Sequence, residues 1–192
     1  MKHMGTLGAT LKKLLSEKER VILAIDGRCT SGKTTFAKKI SENFDCNVIH
    51  TDDFFLRPAQ RTTERLAEVG GNLDRERFFD EVITPLSQGI EFSYCPYDCS
   101  RGELASAVFV PKKKLCVIEG TYSLHPFFGN YFDLAVFLTV FPEVQKERIL
   151  CRPKQLHAPF FEKWIPMEEA YFEKFAIQDK CQFTFDTSKK DR

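Results

Sequence analysis

The 192-residue chain has almost no surplus of either charge, with 28 Lys and Arg against 27 Asp and Glu. Without such an excess no overall field draws it to nucleic acid or to an acidic membrane, and Lys112-Lys113-Lys114 reads as a solvated turn rather than a binding patch. A CxxC pair is also missing. The cysteines at 29, 46, 95, 99, 116, 151 and 181 are odd in number and several lie inside apolar runs, the pattern of reduced cytosolic thiols rather than of a disulfide framework. Cys95 and Cys99 have ligand-like spacing, but no second Cys or His pair stands near them in sequence, which argues against zinc. The opening MKHMGTLGATLKKLLSEKER has neither the apolar core of a signal peptide nor the length of a membrane span, so a cytoplasmic location is expected. Internal repeats and low-complexity segments are absent. One Trp stands beside 19 Phe, most of them at helical spacing and therefore read as core. What the chain does have is apolar mass: 43% hydrophobic residues suffice for a full core, and the length fits one domain better than two.

The apolar residues come in short runs stopped by glycine or acid. Val21 to Asp26 (VILAID) is β-branched and ends at Gly27, which predicts a buried strand, and Lys33 to Phe44 then puts Phe36, Ala37, Ile40 and Phe44 on one helical face. Asn47 to His50 predicts a second strand running into Asp52-Asp53. Arg75 to Gln88 has helical period, with Pro85 expected to end or kink it. Leu115 to Glu119 and Leu134 to Thr139 are further buried-strand candidates, and Pro142 suits the first position of a helix. Strands alternating with helices predict an α/β fold with a mostly parallel sheet covered on both faces. FSYCPYDCSRGELASAVFV alternates and turns, predicting a small antiparallel flap near residues 91–110. RPKQLHAPFFEKWIP lacks a clean period and predicts a loop or broken helix before Met167 to Ala176.

Between the first strand and the first of these helices lies Gly27-Arg28-Cys29-Thr30-Ser31-Gly32-Lys33-Thr34, an ungapped GxxxxGK[ST]. Glycines let backbone N–H groups wrap a phosphate chain, the helix that follows aims its positive end at that charge, and the lysine reaches the outer phosphates. The motif assigns Gly27 through Thr35 to ATP, Lys33 to the transferring phosphoryl group, and the hydroxyl of Thr34 to Mg²⁺. It leaves open whether water or another molecule accepts the phosphoryl group. The chain has no N/T-K-x-D segment of the guanine-reading type and no LSGGQ-like signature, and little room for a motor's coupling apparatus, which favours a small kinase with a small-molecule substrate.

Four further segments follow the loop in order: HTDDFFLRP (His50 to Pro58), GGNLDRERFFDEV (Gly70 to Val82), CPYDCSRGEL and VIEGTYSLHPFF. From about Val21 to Arg152 the chain thereby resembles the uridine kinase-like family of P-loop kinases, which includes uridine/cytidine and nicotinamide riboside kinases. The resemblance implies phosphorylation of a ribose 5'-hydroxyl from ATP and Mg²⁺. It makes Asp52 the general base, Asp74 the acid that holds the ribose hydroxyls, Glu119 the acid near Mg²⁺, and Arg148 and Arg152 the lid arginines within residues 148–166. Local chemistry offers plainer roles beside these. Asp52 also suits a turn or helix cap, Asp74 the N-cap of the Arg75 helix, and the arginines surface pairs with Glu143 or Glu147.

The pattern also departs from the family. Uridine kinases place a base-contacting His after the Tyr-Asp pair, whereas Tyr97-Asp98 leads here to Cys99-Ser100-Arg101. The lid has fewer arginines, with Lys154 and His157 as substitutes, and the double Asp with Phe54-Phe55 and Pro58 leans toward nicotinamide riboside kinases. Tyr97, Arg101 and Asp74 are the acceptor-binding candidates, Tyr97 and Tyr122 the candidates for stacking on a base, and Arg57, Arg61 and Arg65 by default keep an exposed loop soluble. The expected function is transfer of the γ-phosphoryl group to a ribonucleoside. The alternatives are a kinase for nicotinamide riboside or another small hydroxyl metabolite and, from a different class, a nucleotide-dependent regulatory switch.

Overall fold

A computed structural model describes residues 2–189. Its centre is a sheet of five strands in the order β2-β7-β1-β8-β9, comprising β1 (Val21–Gly27), β2 (Cys46–His50), β7 (Leu115–Glu119), β8 (Leu134–Thr139) and β9 (Phe183–Asp186). Every pairing in it is parallel. That arrangement follows from the apolar runs: β1 and β7 are buried at every position, as strands covered on both faces must be.

The alternation of side chains along β1 divides the core in two. Ile22 and Ala24 face a cluster with Phe54, Leu73, Phe78, Tyr171 and Phe172, while Val21, Leu23 and Ile25 face Phe36, Ile40, Leu7 and Leu11. The last two come from α1 (Lys2–Glu17), an element that the sequence reading passed over although Leu7, Leu11, Leu14 and Leu15 repeat at helical spacing. Leu7 and Leu11 are fully buried, contributing on the order of 3–6 kcal/mol together by area removed from water. The motif helix, α2 (Lys33–Ser41), lies on this same face.

Of the two outcomes expected at Pro85, an end or a kink, the helix does not end there. After the short α3 (Thr63–Ala67), the chain is helical from α4 (Arg75–Phe78) through a π-helical turn, Phe79–Ile83, into α5 (Thr84–Gln88), where Gly89 in the left-handed region closes it. A second π turn, Phe160–Trp164, comes just before Pro166 near the start of α8 (Ile165–Phe175). A proline lacks the N–H and pushes away the carbonyl four residues back; the wider π turn absorbs that displacement and the coil continues. The lid region between α6 (Pro142–Leu150) and α8 is accordingly a broken run of helical pieces, among them the single turn α7 (His157–Pro159).

The flap consists of two antiparallel pairs. Phe92–Tyr94 (β3) lies beside Val108–Val110 (β6), and Tyr97–Asp98 (β4) beside Glu103–Leu104 (β5). All seven cysteines are free thiols. No helix among the described residues is long and apolar enough to cross a membrane, and no group of three or more His, Cys, Asp or Glu side chains among them could hold a metal by itself.

Candidate active site

Register sets the site. His50 and Ile25 both stand opposite Glu119, and Gly27 stands opposite Leu138, so the carboxyl ends of β2, β7, β1 and β8 open onto one edge. In open α/β sheets that edge is where ligands bind. Gly27 has φ 137°, and a Cβ there would fall 2.0 Å from the carbonyl oxygen of Leu138, so the loop leaves β1 along a path open only to glycine.

Within the loop, Lys33 Nζ donates to the carbonyls of Gly27 (2.7 Å) and Arg28 (3.0 Å) and to Thr121 Oγ1 (3.2 Å). The Thr34 hydroxyl donates to Glu119 Oε1 at 2.9 Å, so the two residues assigned to the metal are neighbours. The same oxygen pairs with His50 Nδ1 at 2.5 Å. The hydrogen bond to Glu119 raises the pKa of His50 against the opposing effect of burial. Sequence reasoning gave His50 no role; its only signal was its place between a strand and Asp52-Asp53. Thr30 has φ 56°, rare for a β-branched residue, and its hydroxyl and that of Ser31 are buried without partners.

Such a loop fits a polyphosphate: exposed threonines, Thr34 and Thr35, on the first turn of the helix, a lysine hydrogen-bonded only to neutral oxygens, and orphaned hydroxyls whose hydrogen-bonding capacity is unused. Mg²⁺ fits as well, through the Thr34 hydroxyl and the Glu119 carboxylate, since such ions complete their shell with phosphate oxygens and water rather than a protein cage.

Asp52 lies on a short 3₁₀ turn, Thr51–Phe54, after β2. It is exposed and caps no helix. Desolvation within the cleft raises its pKa, Lys33 and His50 oppose the rise, and Glu119 and Asp53 add to it. Asp53 is held elsewhere, its carboxylate by the Tyr94 hydroxyl (2.9 Å) and its carbonyl by Arg77 (2.8 Å).

The acceptor candidates are less open. Asp74 is 2% exposed; it N-caps α4 through the N–H of Arg77 (3.4 Å), accepts from Gln60 Nε2 (3.0 Å), and lies 3.5 Å from Arg77 Nε and 3.8 Å from Arg57 Nη2. Tyr97 and Tyr122 are 5% and 2% exposed, so neither presents a free ring face for a base to stack on. Arg101 is at the flap tip, paired with Glu103 at 2.6 Å. Asp98 Oδ1 is taken up by its own turn, accepting from the Ser100 N–H and hydroxyl.

Nor does one face of α6 turn both lid arginines toward phosphate. Arg148 donates to the Thr30 carbonyl (2.9 Å) and to the carbonyl of Thr187 (2.6 Å), tying the loop to the chain that follows β9. Arg152 lies over the ring of Phe160, 5.2 Å from its centroid. The physical reason is that helical spacing sets a direction but cannot say which distant segment already lies there. Arg28 likewise turns away from the loop, paired through two hydrogen bonds with Glu169 of α8, while the Cys29 N–H donates to Glu168. Burial, with Glu168 nearby, pushes the Cys29 thiol up to about 12.

One buried acid frames the whole edge. Asp26 accepts from the N–H groups of Gly27 (2.7 Å), Tyr122 (3.3 Å) and Leu124 (3.0 Å) and from the Tyr171 hydroxyl (2.8 Å). It fixes the loop after β7 against the loop after β1, and burial raises its pKa despite those bonds.

Solved structures share the fold. A possible uridine kinase from Bacillus stearothermophilus superposes with a TM-score of 0.72 at 21% identity, over 97% of this chain and 100% of that one. The chain has the P-loop kinase fold. A proposed fructose transport system kinase from Silicibacter (TM-score 0.66, 18% identity, 93% and 98% coverage) and D-glycerate 3-kinase from Cryptococcus neoformans (0.63, 13%, 97% and 96%) are similar as well. No protein-family model and no curated protein matches the sequence. The same P-loop kinase fold therefore accompanies acceptors as different as those names imply.

Proposed function

We propose that this protein is a Mg²⁺-dependent kinase that transfers the γ-phosphoryl group of ATP to a hydroxyl of a small metabolite, with the 5'-hydroxyl of a ribonucleoside as the favoured acceptor. The observation that carries the reading is the convergence of Lys33, Thr34, Glu119 and Asp52 on one sheet edge. Lys33 exchanges its carbonyl partners for the outer phosphates and stabilises charge there. Asp52, exposed in the cleft and under the influence of Lys33, orients the acceptor hydroxyl and takes its proton; a raised pKa makes it a stronger base than an ordinary aspartate. When bound at Thr34 and Glu119, Mg²⁺ supplies positive charge to the phosphate oxygens. Arg148 acts by holding Thr30 in its left-handed conformation, so the loop stays in shape.

A second reading within the kinase class has its own support. A ribose, whether of a ribonucleoside or of nicotinamide riboside, would have to displace Gln60 from Asp74 before its hydroxyls could bind there, which suits a small hydroxyl compound that has no ribose. The test is ADP release from MgATP with uridine, cytidine, nicotinamide riboside, adenosine and D-glycerate added singly, against a blank without acceptor. Strong stimulation by one compound supports the kinase and identifies its class. ADP release that no acceptor changes sinks it in favour of a nucleotide-dependent switch.

A further inference from the structure

Two adjacent carboxylates of α8 grip the phosphate loop, and they do different things. Glu169 neutralises Arg28, with Nε–Oε1 at 2.7 Å and Nη2–Oε2 at 2.8 Å. Glu168 has no such cation in direct contact. Its Oε2 accepts from the backbone N–H of Cys29 at 2.8 Å, and its Oε1 accepts from the Thr121 hydroxyl at 3.3 Å. That hydroxyl also meets the amine of Lys33, at 3.2 Å. The residue is 8% exposed. Its burial raises the carboxyl pKa, and attraction to Lys33 is the largest effect opposing the rise. A loop N–H in direct contact, and the P-loop lysine one hydroxyl away, are the surroundings of a phosphate rather than those of an ordinary surface glutamate.

We propose that Glu168 is a built-in stand-in for the terminal phosphate, a carboxylate that the γ-phosphate of ATP must displace and that ADP leaves in place. The lysine of such a loop reaches the β and γ phosphates, so a carboxylate sharing Thr121 with that amine sits at the outer end of the polyphosphate track. The inference rests on the nucleotide reading above. It makes Glu168 the residue that sets the balance between triphosphate and diphosphate binding: the charge weakens the hold on ATP and returns to the loop once the γ-phosphoryl group has been transferred. Since α8 follows the lid segment directly, arrival of the triphosphate also pushes on the helix to which that segment is joined.

The test is calorimetric binding of MgATP and of MgADP to the full chain and to its Glu168→Gln, Glu168→Asp and Glu169→Gln variants, with thermal melting to verify folding. Glu168→Gln, which keeps the shape and removes the charge, is expected to raise the ratio of ATP to ADP affinity by about tenfold. Glu168→Asp withdraws the charge by one methylene and is expected to move the ratio the same way by less. Glu169→Gln should leave the ratio where it is. An unchanged ratio in both folded Glu168 variants, or equal weakening of both nucleotides, would make Glu168 a brace of the loop and overturn the proposal. A wild type that binds neither nucleotide would instead overturn the nucleotide reading, and this inference with it.

Discussion

The two halves of the cleft are built differently. On the nucleotide side, Gly27, Lys33, Thr34 and Glu119 are held by backbone groups and short hydrogen bonds at the ends of buried strands. On the acceptor side, residues 57–77 and the flap are tied by arginine–carboxylate pairs that reach solvent, through the carboxylate in Arg65–Glu76 and through both partners in Arg101–Glu103. A polyphosphate presents the same geometry whatever the enzyme, and a rigid cradle serves it. The acceptor side carries what differs between enzymes and is assembled from loops, where substitutions cost little. Substitutions on the two sides should therefore differ in size.

The largest effect should come from Lys33. Lys33→Ala is expected to lower acceptor-dependent ADP release by about 10³-fold or more, because it removes the charge at the transferring group. Asp52→Asn follows, with a loss of about 10²-fold in turnover at unchanged fold. If Asp52→Asn keeps wild-type turnover while Lys33→Ala loses it, the base lies elsewhere and the nucleotide half stands. The pH profile sharpens this. The Asp52 carboxylate must be unprotonated to take a proton, and its pKa is raised from 3.8. Activity should therefore fall as pH drops through a value above 3.8, and that acid limb should vanish from the residual activity of Asp52→Asn.

Glycines give the direct stability comparison. At Gly27 a methyl group meets the Leu138 carbonyl at 2.0 Å, whereas at Gly102 on the flap its nearest neighbour is the Tyr97 hydroxyl at 4.0 Å. Gly27→Ala should cost on the order of 3–5 kcal/mol, since backbone must move. Gly102→Ala should cost about 1–2 kcal/mol, since only its left-handed φ of 73° is strained. Denaturant unfolding of both variants measures the difference, and equal losses would break the contrast between the halves.

That contrast also explains what could be read from the sequence. The phosphate loop is contiguous from Gly27 to Thr34, and its chemistry requires glycine, lysine and threonine at set spacings, so one strand and one helix around it sufficed for recognition. The parallel sheet was legible because buried strands are written as unbroken apolar runs. Glu168 was not legible, since the N–H it meets belongs to Cys29, 139 positions away. Arg148 was read as facing phosphate because its helix face was clear, while the chain beyond β9 that covers it was not. The continuation of the helix through Pro85 depends on a π turn, which leaves no residue signature that periodicity would detect.

The smallest effect should be at Arg101. Its bond to Glu103 is short, at 2.6 Å, but the side chains are 67% and 56% exposed, and such pairs contribute about 0–1 kcal/mol because water screens them and two long chains must be held in place. Arg101→Ala should therefore leave the unfolding free energy within about 0.5 kcal/mol of wild type. Kinetics then separate its two roles. As a surface pair alone, Arg101 leaves both kcat and KM for the acceptor unchanged. As an acceptor contact made equally in the ground and transition states, its loss raises KM at constant kcat. A fall in kcat instead would mean that the flap reaches the reacting groups, and the line drawn here between a rigid nucleotide half and a permissive acceptor half would have to move past residue 101.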